Sequence, residues 1–423
     1  MSSPSPHLSV RREHPFQVSI LLVCLTFLLC IFILSPGQGG TTPAGTDTPG
    51  ARQLYSLFAR VQGISDSLER RKAVADFLRA TTPTGCPLID DSTVTFVYEG
   101  PGTSVAVAGD MNDWNPSTGE MKRLQGTRFF YRTFSIDPAG RSEYKLVVDA
   151  SWILDPRNPR TVMGGLGLNS ELRMPAYVPP PSVVPAPGIF PGRIDTLLFR
   201  SILLACAHPA MVYTPASYAA SADTLPVLFV MDGGEYLALT EMRGTLDYLI
   251  GAKRITPVVV VFLDPRTDIR SPESSRRMAE YALNDTFIQA VVSELRPMIG
   301  SRYRIAMDAA RTAIMGVSMG GLIATYAGLT RPDIFGLCAA QSPSYWWEKR
   351  RLVRFIAIAR TMPLKMYIDT GTLYDAQEEA RAARDAFLAR HAALHYEEHP
   401  EGHNWLNWRS RIPSILSYFW GTQ

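Results

Sequence analysis

The hydrophobic pattern changes period several times along the chain, and each change predicts a different element. Val18 to Leu34 is an almost unbroken apolar run after Arg11 and Arg12, giving way to Ser35-Pro36-Gly37. That composition predicts an export signal or an amino-terminal membrane anchor over residues 1–36, outside the folded part. Residues 37–52 are rich in Gly, Thr and Pro, which is linker composition. From Leu54 to Ala80 apolar residues recur at helical spacing (Leu54, Leu57, Phe58, Val61, then Val74, Phe77, Leu78), with a break at Gly63. The spacing predicts a short helical pair over 53–85. The period then falls to two: Val94, Phe96, Tyr98; Val105, Val107; Phe129, Tyr131; Tyr144, Leu146, Val148, punctuated by Gly, Asp and Asn. An all-β domain over 86–176 follows from that alternation.

Prolines crowd 177–192 and predict a stiff spacer. From Arg193 to the end, short apolar runs alternate with helical patterns: Val227 to Met231, Val258 to Leu263, Thr312 to Met315, Leu337 to Ala340 and Met366 to Asp369. Continuous rather than alternating apolar runs are what strands buried on both faces need. Residues 193–423 are therefore expected to form a doubly wound α/β domain with a mostly parallel sheet.

Composition narrows the function. Among 423 residues, 42 Lys and Arg against 39 Asp and Glu leave a net charge of +3 without a long basic run, which argues against nucleic-acid binding. Membrane contact is expected only through the first 36 residues. Cys86, Cys206 and Cys338 lie beyond that segment, an odd number without metal-like pairing, and read as buried small side chains. No metal site and no organic cofactor is expected.

The chemistry concentrates in the last domain. Gly316-Val317-Ser318-Met319-Gly320-Gly321 matches G-x-S-x-G after a strand-like run and before a helix of small residues. That is the context of a nucleophile elbow, where flanking glycines keep Cβ atoms out of a sharp turn. A serine nucleophile needs a base, and His403 lies in the loop Pro400-Glu401-Gly402-His403 after the last strand. The acid should leave the strand Met366 to Asp369; Asp375 is the candidate, with Asp369 the rival and Glu378 or Glu379 further choices. An oxyanion needs two backbone amides. Met319 is implied by the elbow, and Gly234, beside Gly233 in Asp232-Gly233-Gly234-Glu235, is the second candidate, with Gly233 placed to contact substrate. Trp346 and Trp347 follow the next strand and are candidate walls of the substrate pocket.

The stretches VLFVMDGGEYL, GVSMGGL, PDIFG, QSPSYWW, Glu280 through Pro297 and EGHNWLNW together resemble enterochelin-esterase-like hydrolases, a group that includes esterase D, feruloyl esterases and mycolyltransferases. The resemblance implies an α/β-hydrolase fold with Ser318, His403, Met319 and Gly234 in the roles above. The acid departs from the family's Gly-x-x-acid spacing, because Asp375 stands one place further from Gly371. The β domain resembles the immunoglobulin-like early-set or glycogen-binding sandwich through VAVAGDMNDW, YKLVVD, Trp152, Asp155-Pro156 and Leu168-Asn169-Ser170. That likeness implies Trp114, Lys145, Trp152 and Asn169 as carbohydrate-binding residues. The expected reaction is serine ester hydrolysis through an acyl-enzyme. The expected partner is a small-molecule siderophore ester or an acylated glycan, such as a feruloyl or acetyl carbohydrate. The alternatives are a glycan-binding protein with an inactive hydrolase domain, or an acyltransferase. Export would make the protein periplasmic or secreted.

Overall fold

The computed structural model describes residues 49–81, 86–180 and 188–422. The apolar run Val18 to Leu34, most of the 37–52 linker and residues 181–187 of the proline-rich spacer lie outside them. Among the described residues, no helix is long and apolar enough to cross a membrane.

Two helices, Pro49–Gln62 and Ser67–Thr81, open the described part. Each presents an apolar stripe: Leu54, Leu57 and Val61 on the first, Ala73, Val74 and Leu78 on the second. Both stripes pack on Val97, Leu124 and Phe129 of the following domain, so the pair is bound to a sheet rather than standing alone.

Nine strands follow: β1 (Leu88–Asp90), β2 (Thr93–Glu99), β3 (Val105–Gly109), β4 (Lys122–Arg123), β5 (Phe129–Ser135), β6 (Arg141–Val148), β7 (Ser151–Ile153), β8 (Thr161–Gly164) and β9 (Gly167–Arg173). One antiparallel sheet has the order β1-β2-β5-β4. The second runs β3-β6-β9-β8, with β7 on β6. Val94, Phe96, Val107, Phe130, Tyr144, Leu146 and Leu172 come from both sheets and form one buried cluster, the inward half of the alternation.

The remaining strands build one eight-stranded sheet in the order β10-β11-β13-β12-β14-β15-β16-β17. The first two, β10 (Arg193–Ser201) and β11 (Cys206–Thr214), are an antiparallel hairpin, and β11 joins β13 antiparallel. From β13 (Val259–Leu263) through β12 (Val227–Val230), β14 (Thr312–Val317), β15 (Leu337–Gln341), β16 (Lys365–Gly371) and β17 (Leu394–His399), every pair is parallel. All five residues of β13 are buried because helices cover both faces. Strand β14 lies inside the sheet between β12 and β15, so its carboxyl end is flanked by the loops after its neighbours, where open α/β sheets place their ligands.

Candidate active site

Strand β14 runs straight into the helix Met319–Thr330, and Ser318 is the residue at the junction. Its backbone stands at φ 55°, ψ −119°, a strained conformation that serine holds only when the surroundings impose it. Those surroundings are close: a Cβ at Gly316 would lie 2.5 Å from the carbonyl carbon of Gly320, and one at Gly320 would lie 2.8 Å from Asp232. Gly316→Ala should therefore push strand from helix. We expect it to lower stability by about 1–3 kcal/mol, read as a fall in Tm.

The turn is pinned on both sides. The Ser318 amide donates to Gln341 O (2.9 Å), and Ser318 O accepts from the Ser344 amide (3.0 Å). Arg277 ties the elbow to the loop after β12: its guanidinium donates to both Asp232 oxygens (2.7 and 2.9 Å) and to Val317 O (3.1 Å). Ser318 itself is half-buried, and its Oγ is 3.1 Å from Ser344 Oγ. Among the described residues that hydroxyl pair, not His403, is the hydrogen-bond partner of Ser318 Oγ.

Two backbone amides, of Met319 next to Ser318 and of Gly234 in the segment that Arg277 ties to the elbow, lack an acceptor among the described residues. The first stands at the positive end of the twelve-residue helix, the second in the first turn of the short helix Gly233–Leu239 that follows β12. At 234 a Cβ would stand 2.0 Å from Asp264 Oδ2 and 2.7 Å from Arg266 Nη2, so any larger residue must displace that ion pair. Gly233 is more tightly constrained, because a Cβ there would stand 2.4 Å from the Phe262 backbone.

His403 and Asp375 meet across 28 residues, with Nδ1 2.8 Å from Asp375 Oδ1. The Asp375 side chain is fully buried, whereas that of His403 is 41% exposed, so the imidazole is held from below and open above. Burial alone would raise the Asp375 carboxyl. The His403 ring and hydrogen bonds from His403, Ser342 Oγ (2.5 Å) and the Gly371 amide (2.7 Å) outweigh it and hold the group below its ordinary 3.8. An ionised acceptor on Nδ1 makes that nitrogen the donor and leaves Nε2 as the basic one. Trp408 completes the mount: its indole N–H donates to Ser342 Oγ (2.9 Å), and its ring meets the His403 ring edge to face at 4.9 Å.

Asp369 takes a different place. It is buried beneath the sheet end and accepts from Gln341 Nε2 (3.1 Å), and burial drives its carboxyl well up. Glu378 and Glu379 pair with Arg350. Trp346 and Trp347 contact each other at 5.8 Å; the first is 39% exposed, and the second packs on the main core.

In the β domain, Trp114 and Trp152 stack at 6.5 Å with an interplanar angle of 23°, and Trp152 is 48% exposed. The Trp114 indole donates to Asp110 (3.0 Å), and Lys145 is half-buried on β6. The Asn169 amide is committed to Glu143 (2.8 Å). Asp113, in the same loop as Trp114, lies near His403: burial raises its carboxyl and the imidazole lowers it. Ser342, Ser344, Trp408, Arg277 and Asp113 were not singled out by sequence reading. Ser342 and Ser344 lie inside QSPSYWW, Asp113 inside VAVAGDMNDW and Trp408 inside EGHNWLNW, whereas Arg277 falls in none of these stretches.

One cysteine differs from expectation. Cys86 and Cys338 are buried, but Cys206 is only half-buried, with its sulfur 3.2 Å from His208 Nε2. The antiparallel β10–β11 hairpin puts it at the sheet end instead of inside. Cys206, His208 and Glu280 form a metal-sized cluster, in which Glu280 Oε1 accepts from the Arg276 guanidinium at 2.8 Å.

Comparison with known proteins agrees with this architecture. The family model described as "Putative esterase" matches residues 201–419, more than half of the chain. The iron(III) enterobactin esterase of Escherichia coli O6:H1 strain CFT073 is 31% identical over 200 residues, 47% of this chain and 48% of that protein. The iron(III) enterobactin esterase of E. coli K12 is 29% identical over 262 residues, 59% of this chain and 62% of that protein. The chain thus spans about half to three fifths of the length of these relatives. Among solved structures, the enterobactin esterase from Shigella flexneri superposes with a TM-score of 0.64 at 24% identity, covering 78% of this chain and 92% of that one. The ferric enterobactin esterase from Salmonella typhimurium gives 0.66 at 22%, covering 82% and 98%. These structures share the α/β-hydrolase fold. With the family model running from the end of β10 into the last helix, the chain belongs to this esterase family.

Proposed function

We propose that the protein hydrolyses carboxylic esters through an acyl-enzyme on Ser318. The observation that carries this reading is the strained Ser318 turn, with the Met319 and Gly234 amides lacking an acceptor among the described residues and the His403–Asp375 pair at the same end of the sheet. Ser318 Oγ adds to the ester carbonyl while its proton passes to His403 Nε2. The amides of Met319 and Gly234 receive the negative charge on the carbonyl oxygen. The imidazolium, steadied by Asp375, returns the proton to the leaving alcohol, and water repeats the cycle to release the acid. The Ser318 hydroxyl, paired with Ser344 here, turns to His403 for the reaction, and catalytic hydrogen bonds are commonly long or unformed until substrate binds.

The substrate class is a siderophore ester. Its support is the similarity to relatives whose names specify iron(III) enterobactin. An export or anchoring segment at Val18 to Leu34 would put this hydrolysis outside the cytoplasm. Incubation with enterobactin, with and without iron, should yield products heavier by one water per ester cleaved, and Ser318→Ala should yield none. Turnover of simple esters without any cleavage of enterobactin would move the substrate elsewhere, with feruloylated and acetylated sugars next.

For the β domain we favour the early-set type. The stacked Trp114–Trp152 pair, beside a cavity of about 510 Å³ lined by Ala106, Glu120, Val147 and Trp152, supports a second role in holding a sugar ring. Retardation on polysaccharide affinity gels that Trp152→Ala abolishes would support it; unchanged mobility of both proteins would remove it.

A further inference from the structure

The β domain holds the His403 loop on both sides of the imidazole. Arg141, the first residue of β6, is fully buried, and its amide donates to Pro400 O (3.0 Å). Its Nη1 donates to Asn404 Oδ1 (3.0 Å), 263 residues away, and lies 3.7 Å from the Glu401 carboxylate. The rest of the guanidinium is fixed by Glu171 (2.8 Å) and Glu143 (3.0 Å). Those acids are themselves held, Glu171 by Arg173 (2.9 Å) and Glu143 by Asn169 (2.8 Å). Asp110 supplies the second grip, accepting from Asn404 Nδ2 at 3.0 Å while the Glu143 amide (2.7 Å) and the Trp114 indole (3.0 Å) lock its orientation. Gly402 lies so close that a Cβ there would stand 2.3 Å from the Asp110 carboxyl carbon.

The residue before His403 and the residue after it are thus both seated on side chains of another domain. Burying one guanidinium among three carboxylates is poor value as stabilisation, since apolar residues of equal size often serve as well or better. It does fix geometry, because the planar fork allows few arrangements. Geometry is what an imidazole on a surface loop lacks, and misplacement by about 1 Å can cost about a hundredfold in rate.

We propose that Arg141 and Asp110 are positioning residues for the His403 imidazole, so that the β domain is a working part of the hydrolase centre. This rests on the proposed Ser318–His403 hydrolysis. The test uses the full chain and a p-nitrophenyl ester, with Arg141→Met, Arg141→Lys, Asp110→Asn, Asp375→Asn, Ser318→Ala and the double variant Arg141→Met with Asp375→Asn. We expect Arg141→Met to lower kcat by about a hundredfold with KM changed by no more than about twofold. Arg141→Lys should recover part of that loss, and Asp110→Asn should fall in the same direction.

A role through His403 also predicts non-additivity: once Asp375→Asn has freed the ring, Arg141→Met should cost less than about fivefold more. Full multiplication of the two losses, or a loss confined to KM, would overturn the proposal. So would folded Arg141→Met and Asp110→Asn proteins with wild-type kcat. If Arg141→Met does not fold, Asp110→Asn, which leaves the guanidinium in place, decides alone. If Ser318→Ala turns over like wild type, the hydrolase reading itself fails. If Ser318→Ala is inactive while Arg141→Met and Asp110→Asn keep wild-type kcat, only the positioning role is lost.

Discussion

Ser318→Ala is expected to reduce kcat/KM for p-nitrophenyl esters by about a thousandfold or more, while leaving the thermal transition within a few degrees of wild type. The two halves of that expectation have separate causes. Removing Oγ removes the atom that forms the acyl bond, and the remaining amides and base recover only the modest rate of direct water attack. The fold has little stake in the hydroxyl, because the Oγ contact is a single bond to Ser344, while the turn is held by backbone bonds to Gln341 and Ser344. Alanine inherits the strained φ of 55° at no greater cost than serine. Parallel steady-state kinetics and calorimetry check both halves.

The second large effect is at Asp375. Asp375→Asn keeps the shape but presents an amide where His403 Nδ1 needs an acceptor, which favours the wrong tautomer. In a comparable serine triad that change costs about 10⁴-fold in kcat, and a loss of about 10³- to 10⁴-fold is expected here. The same residue carries a pH signature. Its folded carboxyl is held below its ordinary value, so it contributes stability that is present above the ordinary carboxylate range and lost as pH falls through the folded value. Asp375→Asn should therefore flatten part of the acid limb of the stability curve, measured by denaturant titration across low pH. Asp369→Asn makes the contrast: its carboxyl is raised by burial and bonded to Gln341, so its replacement should leave kcat within about tenfold.

Much of the fold was legible along the chain because its signals are local. Strands buried on both faces, such as Val259–Leu263, read as unbroken apolar runs, and the glycines around Ser318 mark a turn whose crowding excludes Cβ atoms. The β10–β11 hairpin was not legible, because β10 lies at the sheet edge and its side chains are mostly exposed or half-exposed. Loop position pointed to His403, but nothing local separates Asp375 from Asp369, since the distinction depends on where the chain turns after β16. Ser342 and Trp408, 66 residues apart, and Arg141, Asp110 and Asn404, up to 294 apart, acquire meaning only when folding brings them together. The cysteines show the same limit: apolar neighbours in sequence suggest burial for Cys206, whereas its hairpin leaves it half-buried beside His208.

The most direct test of the central claim is intact-mass and peptide analysis after reaction with a fluorophosphonate. The account predicts a single adduct on the peptide bearing Ser318, absent from Ser318→Ala and formed far more slowly by His403→Ala. An adduct on another residue, or equal labelling of Ser318→Ala and wild type, would contradict it.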